Sequence, residues 1–151
     1  KWLAVPDNIR WKRFGSEIGV YISIGILIYL LSANGVPSLG GLRQVVRSLP
    51  AIIIFAVINA FYEELVYRAS FLSVLESVVG QKHALAISTL YFGIGHYYGA
   101  PAGIIGIIMA SFLGYILGKS MLETRGFFWA FLLHFLVDFY IYIFGCLNFV
   151  T

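Results

Sequence analysis

The run SLPAIIIFAVINAFYEELVYR, residues 48–68, decides the fold of this chain. Its first fifteen residues carry no charge, and the adjacent glutamates Glu63 and Glu64 follow them directly, with Arg68 shortly after. A charged group at the centre of a bilayer costs about 2.5–3.5 kcal/mol on insertion scales, so it usually persists because it has a function or a buried partner. The run therefore predicts a membrane helix that contains an ionisable site.

The composition of the whole chain also indicates a membrane protein. Of its 151 residues, 60% are hydrophobic and 11% are charged, whereas a soluble domain carries about 25% charged residues. A spanning helix needs about 20 apolar residues. We therefore predict an all-α fold, a polytopic transmembrane helix bundle of about five spans, with residues 1–151 forming a single integral-membrane domain.

Charge and cysteine content exclude other classes of protein. The formal net charge of +3 is too small and too dispersed for a nucleic-acid surface, so we expect membrane lipids rather than nucleic acid as partners. The chain has one cysteine, Cys146, which excludes an intramolecular disulfide and a thiolate-rich zinc site. Nothing in the pattern predicts an oligomeric state.

Short turns that contain Gly, Pro or charged residues separate the apolar stretches. The predicted spans cover residues 17–34, 49–79, 84–98, 102–121 and 126–149. The second stretch is too long for a bilayer, so we expect it to tilt or to break. Residues 39–47, which precede it, are predicted to form a linker.

Small residues recur at every fourth position of the fourth predicted span, at Gly106, Ala110, Gly114 and Gly118. Glycine is common in spanning helices, which would explain any one of them. Four in register favour a packing role, because such a stripe lets two helix backbones approach closely.

Residues 1–16 are basic and contain two tryptophans, which predicts an interfacial segment on the membrane surface. This segment lacks the apolar core and the small-residue cleavage site of a signal peptide. Because the first residue is Lys1 rather than Met, we expect further residues to precede it.

Lysine and arginine are distributed unevenly among the predicted turns. With a cytoplasmic N-terminus, most of them lie inside: Lys1, Arg10, Lys12, Arg13, Lys82, Lys119 and Arg125. Only Arg43 and Arg47 lie outside. Basic residues concentrate on the cytoplasmic side of membrane proteins, so we predict a cytoplasmic N-terminus.

Helical spacing assigns different roles to the two glutamates. Glu64 and Arg68 are four residues apart, so they share a helix face and can pair. Glu63 lies five residues before Arg68, about 140° around the helix, and is free to face elsewhere. The alternative is that both glutamates join one buried ion-pair cluster.

Two further apolar stretches carry ionisable residues at the same spacing. Phe92 and His96 share one face, and His134 and Asp138 share another. A single histidine in a spanning helix can be an interhelical hydrogen bonder, but two histidines and an unpaired glutamate favour a reactive site. Asp138 could fix the tautomer of His134 or stabilise its charged form.

These residues match the motifs of a known family. Glu63-Glu64-x-x-x-Arg68, Phe92-x-x-x-His96 and His134-x-x-x-Asp138 resemble the three signature motifs of the CPBP family, which is also called Abi. It includes CAAX prenyl endopeptidases related to the eukaryotic Ras-converting enzyme and bacteriocin-processing enzymes. The resemblance covers about residues 49–144, and the chain looks like a minimal bacterial member.

The resemblance implies an intramembrane endopeptidase of the bacterial inner membrane. Glu63, with His96, would activate a water molecule, and His134 with Asp138 would stabilise the oxyanion. Glu64, Arg68 and Phe92 would support the site structurally. The implied substrate is a lipidated or single-span protein or peptide anchored in the membrane.

Two features of the resemblance leave alternatives open. Many members have Asn where this chain has Asp138, and an ionised Asp cannot donate to an oxyanion. Asp138 must therefore be protonated, or it orients His134 instead. Members are described both as metallopeptidases and as glutamate peptidases; we assign no metal, but zinc bound by Glu63, His96 and His134 is the alternative.

Two other functions compete with proteolysis. One is a non-catalytic membrane protein of the same fold, such as an immunity or scaffold factor, which would have no need of Glu63. The other is a proton or ion pathway that uses glutamate and histidine as relays, and it would require a continuous polar path to both membrane faces.

Overall fold

The structure, a computed structural model, describes residues 9–148, and these residues form helices and short turns without a β-strand. The helices are α1 (Ile9–Asn34), α2 (Leu39–Glu64), α3 (Ser73–Val79), α4 (Gln81–Gly95), α5 (Gly103–Thr124) and α6 (Phe128–Asn148). A π-helical segment, Leu65–Leu72, joins α2 to α3 without a break. The predicted all-α helical bundle is confirmed.

Four helical stretches in this part of the chain are long and apolar enough to cross a membrane. They are Trp11–Asn34, Leu39–Val79, Gly103–Thr124 and Phe128–Leu147. The predicted third span corresponds to α4, which has only 15 residues and is shorter than the roughly 20 residues that a bilayer requires. Four full-length spans and one shorter helix therefore make up the bundle.

The second span differs from the prediction at its start. Residues 39–47 are not a linker but the first turns of α2, and the Ser38 hydroxyl caps this helix by accepting a hydrogen bond from the Gly41 N–H at 3.1 Å. Pro50 lies inside the helix. The helical path of 41 residues to Val79 spans about 60 Å at 1.5 Å per residue, so it must tilt or extend beyond the bilayer.

Helix α1 begins before the predicted first span. The first eight residues of the predicted interfacial segment lie outside the described residues, and the rest of that segment continues directly into the spanning part of α1. Trp11 is 1% exposed, and its indole N–H donates to the Glu123 carboxylate at 2.8 Å. This contact ties the start of α1 to the end of α5.

The helices run alternately up and down, so the bundle has two distinct ends. We call "basic end" the one formed by the start of α1, the α3–α4 turn and the α5–α6 turn; there Arg125 pairs with Glu76 at 2.7 Å. We call "loop end" the opposite one, formed by the α1–α2 turn, residues 96–102 and the end of α6, where Gly41 packs against Leu147.

The stripe of small residues on α5 packs as predicted. Gly106, Ala110, Gly114 and Gly118 are all buried, and α5 packs closely along α4. A Cβ atom on Gly118 would lie 2.7 Å from Leu85 Cδ1. The absence of side chains on this face lets the backbones of the two helices approach each other.

We expect Gly118→Val to lower the thermal unfolding temperature of the detergent-purified protein, because overpacking costs about 1–3 kcal/mol. The matched control is Gly145→Val on α6, where nothing lies within 4 Å of the added Cβ. Circular dichroism melts of both variants check this. Equal unfolding temperatures for the two variants would contradict the packing role of Gly118.

Candidate active site

The centre of the bundle contains a buried ionic cluster that joins α2 to α6. Glu64 and Arg68 are fully buried, and their Oε1 and Nη1 atoms are 3.2 Å apart. The same Glu64 oxygen lies 2.8 Å from Nδ1 of His134. Because an ionised carboxylate can only accept, His134 carries its hydrogen on Nδ1 and donates it to Glu64.

Arg68 lies in the π-helical segment that follows Glu64 directly. Ser70 supports the wide turn there by donating its hydroxyl hydrogen to the carbonyl of Leu65, five residues earlier, at 2.9 Å. Such π segments occur often at functional sites. The Arg68 guanidinium also donates to the Gly114 carbonyl at 3.4 Å, where a side chain on Gly114 would crowd Arg68 and Phe92.

The ring of Phe92 forms one wall of the cluster. Arg68 stacks over it at 4.0 Å from the ring centroid, within the range of a cation–π interaction. The rings of His96 and His134 contact it at centroid distances of 4.3 and 5.7 Å. Phe92 therefore contacts the arginine and both imidazoles and restricts their orientations by packing.

Glu63 points away from this cluster and towards the two histidines, as its spacing predicts. Its Oε2 atom is 3.7 Å from Nε2 of His96 and 3.7 Å from Nε2 of His134. The atom is buried and has no hydrogen-bond partner. These distances exceed a direct hydrogen bond and suit groups that share one bridging water molecule.

The hydrogen bonds of His96 fix its tautomer. Its Nδ1 lies 2.7 Å from the carbonyl oxygen of Phe92, and a carbonyl can only accept, so Nδ1 carries the hydrogen. In the neutral ring, Nε2 then presents a lone pair towards Glu63. The side chain of His96 is 29% exposed, against 3% for His134, so His96 is the more accessible of the two.

Asp138 and Asn59 complete the site. Oδ1 of Asp138 lies 3.7 Å from Nε2 of His134. The Asn59 amide donates to Oδ2 of Asp138 at 3.1 Å and to Oε1 of Glu63 at 3.4 Å. One neutral side chain therefore bridges two carboxylates that come from different helices.

The site forms the inner end of a cavity of about 760 Å³. Asn59, Glu63, His96, His134 and Asp138 all line it. Most of its other walls are apolar side chains of α1, α5 and α6. The five polar groups thus converge on one cavity that is large enough to admit a stretch of peptide.

The structure brings together all the residues that the sequence nominated, and it changes one of their relationships. The carboxylate that holds the His134 ring is Glu64, not Asp138, so Glu64 is more than a partner for Arg68. Sequence reasoning missed Asn59. The signal that could have found it is the position of Asn59 itself: a polar amide in an apolar stretch of helix, one turn before Glu63 and on the same face.

The zinc alternative would use Glu63, His96 and His134 as ligands. Between residues 9 and 148, no three His, Cys, Asp or Glu side chains form a group that could hold a metal ion. Glu63 Oε2 nevertheless lies 3.7 Å from the Nε2 atoms of both histidines, and the zinc alternative is decided by experiment.

The structure is thus a bundle of membrane helices with glutamate and histidine side chains around an internal cavity. A comparison with protein-family models matches residues 45–140 to the type II CAAX prenyl endopeptidase Rce1-like family. The chain belongs to this family. It is therefore an integral membrane protein with a family relationship to CAAX-type proteases, whose substrates are membrane-associated proteins. Comparisons with curated proteins and with solved structures found no significant match.

The buried pair predicts a large cost for Arg68→Leu. Removing one partner of a buried ion pair costs about 3–5 kcal/mol, because the other charge stays buried without compensation. The chain offers a matched control in Arg13 and Glu17, which have the same spacing but side chains 85% and 51% exposed. Arg13→Leu should change stability little.

Thermal unfolding in detergent measures both variants. Similar unfolding temperatures for Arg68→Leu and Arg13→Leu would contradict a stabilising role for the buried cluster. A double variant that also replaces Glu64 with Gln should recover part of the loss, because it removes the uncompensated charge.

Proposed function

We propose that this chain is an intramembrane endopeptidase of the glutamate type, which hydrolyses a peptide bond in a lipidated or single-span membrane protein. The observation that carries the proposal is the position of Glu63 Oε2. It is buried, lacks a hydrogen-bond partner and lies 3.7 Å from the Nε2 atoms of both His96 and His134. A carboxylate held in this way is a general base next to a water site.

The first step is attack by water. A molecule between these three groups donates one hydrogen to Glu63 and the other to the lone pair of His96 Nε2, which orients it. As its oxygen bonds to the scissile carbonyl carbon, the proton moves to Glu63 and the carbonyl electrons move to oxygen. When the carbon–nitrogen bond breaks, Glu63 returns that proton to the leaving amine.

His134 is suited to stabilise the oxyanion. Its Nδ1 is held by Glu64, and Asp138 and Glu63 lie 3.7 Å from its Nε2. Three carboxylates face one arginine and two imidazoles here, and net charge is costly in a low dielectric. Positive charge on His134 lowers the net negative charge of the site and places an N–H on Nε2, which can donate to the developing oxyanion.

Asp138 is assigned a supporting role rather than that of a donor. Its Oδ2 atom accepts from Asn59, and its Oδ1 atom faces His134. An ionised Asp138 cannot donate to an oxyanion, but it favours the charged form of His134. Asn59 is a positioning residue, because it holds Glu63 and Asp138 from a single amide.

The geometry favours proteolysis over a proton or ion pathway. A pathway needs polar groups that lead to both membrane faces. Beyond the site, towards the basic end, the bundle is closed by an apolar cluster of buried side chains: Ile116, Leu117, Met121, Ala130 and Leu133. A site that opens on one side only suits a substrate that enters and leaves by the same route.

We expect Glu63→Gln to abolish cleavage, because glutamine keeps the shape but cannot accept the proton. The control is Glu17→Gln, an exposed carboxylate on α1. Mass spectrometry of terminal peptides, from membranes of host cells that express each form, detects the products. Wild-type levels of these products with a folded Glu63→Gln protein would overturn the proposal.

The same preparations distinguish the glutamate mechanism from the zinc alternative. We expect the purified enzyme to keep its activity after dialysis against a chelator, with zinc below one equivalent by elemental analysis. Loss of activity that is restored by one equivalent of zinc would establish the metallopeptidase instead.

We expect Asn59→Ala to lower kcat about 10–100-fold with little change in KM. One hydrogen bond to a charged group contributes about 1.5–3 kcal/mol, and Asn59 makes such a bond to Glu63. KM should change little, because many other residues also line the cavity. Steady-state kinetics on a peptide taken from the wild-type products check this. A KM effect with unchanged kcat would show that Asn59 binds substrate rather than positioning Glu63.

A further inference from the structure

The cavity occupies one half of the bundle, and packed apolar side chains fill the other half. On α5 the lining of the cavity runs from Gly106 to Leu113, in the part of the helix nearest the loop end. Ile116 and Leu117 already belong to the packed cluster. On α6, the residues that follow His134 lead towards the loop end. Those that share its face therefore line the cavity beyond the site.

Tyr142 is such a residue. It follows Asp138 by four positions and His134 by eight, so the three side chains lie on one face of α6, and all three line the cavity. Because helical side chains point back towards the N-terminus of their helix, the ring of Tyr142 extends from one turn beyond Asp138 back towards it. The phenol also interacts electrostatically with the carboxylates of Asp138 and Glu63. Its hydroxyl is therefore close to the site.

The hydrogens of the other donors in the site are held by the protein. The amide of Asn59 donates to two carboxylates. The Nδ1–H groups of His96 and His134 donate to a carbonyl and to a carboxylate. The hydroxyl of Tyr142 takes part in none of these bonds, so its hydrogen is free to be donated to a molecule in the cavity.

The proposed mechanism needs such a donor. The oxyanion that forms at the scissile carbonyl has one donor so far, the Nε2–H of His134. Asp138 lies beside that atom but cannot donate while it is ionised. The carboxylates around the site also repel the negative charge that develops on the oxyanion, and this repulsion is strong in a low dielectric. Enzymes place preorganised donors, tyrosine hydroxyls among them, where such charge develops.

We propose that Tyr142 is a catalytic residue whose hydroxyl is the second oxyanion donor. This role rests on the proposed peptidase function. As the water oxygen bonds to the carbonyl carbon, the carbonyl oxygen becomes negative and accepts hydrogen bonds from Nε2 of His134 and from the Tyr142 hydroxyl. When the carbon–nitrogen bond breaks, the electron pair returns to the carbonyl. Tyr142 keeps its hydrogen throughout, so the proton cycle of Glu63 is unchanged.

The test is Tyr142→Phe, which keeps the ring and removes only the hydroxyl. Loss of one oxyanion donor lowers kcat about 100–1,000-fold. We therefore expect a loss of that size, with little change in KM, in steady-state kinetics on a peptide taken from the wild-type products. The matched control is Tyr140→Phe on the same helix, where Tyr140 packs against the apolar cluster of Ile26, Leu30 and Phe144. This control should keep the wild-type kcat.

A phosphinate analogue of the same peptide tests the contact with the oxyanion more directly. Its tetrahedral phosphorus carries an anionic oxygen like the one that develops in the reaction, and such analogues bind through interactions that the substrate lacks. Tyr142→Phe should weaken binding of the phosphinate by the same factor as it lowers kcat/KM. A higher KM with unchanged kcat and unchanged phosphinate binding overturns the donor role, because Tyr142 then binds only the substrate.

The pH profile of kcat separates a donor from a positioning residue. A phenol that acted only through Asp138 or His134 would shift this profile when it is removed, because those groups titrate. A donor that keeps its hydrogen lowers kcat by one factor at every pH at which the enzyme is active. We expect the second result for Tyr142→Phe, and a shifted profile overturns the proposal.

Failure of this inference differs from failure of the proposed function. Wild-type kcat in Tyr142→Phe, beside a Glu63→Gln protein that no longer cleaves, overturns the donor role and leaves the peptidase standing. Equal amounts of product from wild-type and Glu63→Gln membranes overturn the peptidase, and the donor role with it.

Discussion

The hydrogen bond between His134 and Glu64, in which the accepting carboxylate oxygen also contacts Arg68, is the interaction on which the site depends. It joins α6 to the helix that carries both glutamates, in a region with no access to solvent. A carboxylate buried this deeply is costly unless it is paired and hydrogen-bonded. Because Glu64 is held in this cluster by His134 and Arg68, the preceding residue, Glu63, points to another side of the helix and into the cavity.

Several local features of the sequence exist to make this arrangement fit. The π-helical turn after Glu64 places Arg68 beneath Phe92, and Gly114 leaves room for the guanidinium against α5. Phe92 in turn packs on both imidazoles. Each of these residues constrains the orientation of a side chain in the candidate site, which is how a rigid site is obtained from flexible side chains.

The sequence predicted the parts of this design that follow from spacing along one helix. The Glu64–Arg68 pair and the separate direction of Glu63 are consequences of helical periodicity, and the small-residue stripe of α5 correctly indicated close packing.

Relations between helices were harder to predict. The bond from Glu64 to His134, and the bridge that Asn59 makes to Asp138, depend on how α2 and α6 pack, which no local pattern states. The start of α2 was missed because Arg43, Arg47 and Pro50 resemble a linker, whereas the Ser38 cap and the apolar residues between them continue the helix.

Hydrolysis inside a membrane requires water next to a base in surroundings that exclude water elsewhere. The two halves of this bundle divide these requirements. The packed half, around Leu117 and Leu133, keeps the dielectric low beside Glu64 and Arg68 and so strengthens the electrostatic interactions that hold the site. In the proposed mechanism the open half supplies the water and the space for a peptide, and His96, the more exposed histidine, faces it. The proposed base, Glu63, lies at the boundary between the two halves, so its side chain is 21% exposed while that of Glu64 is fully buried.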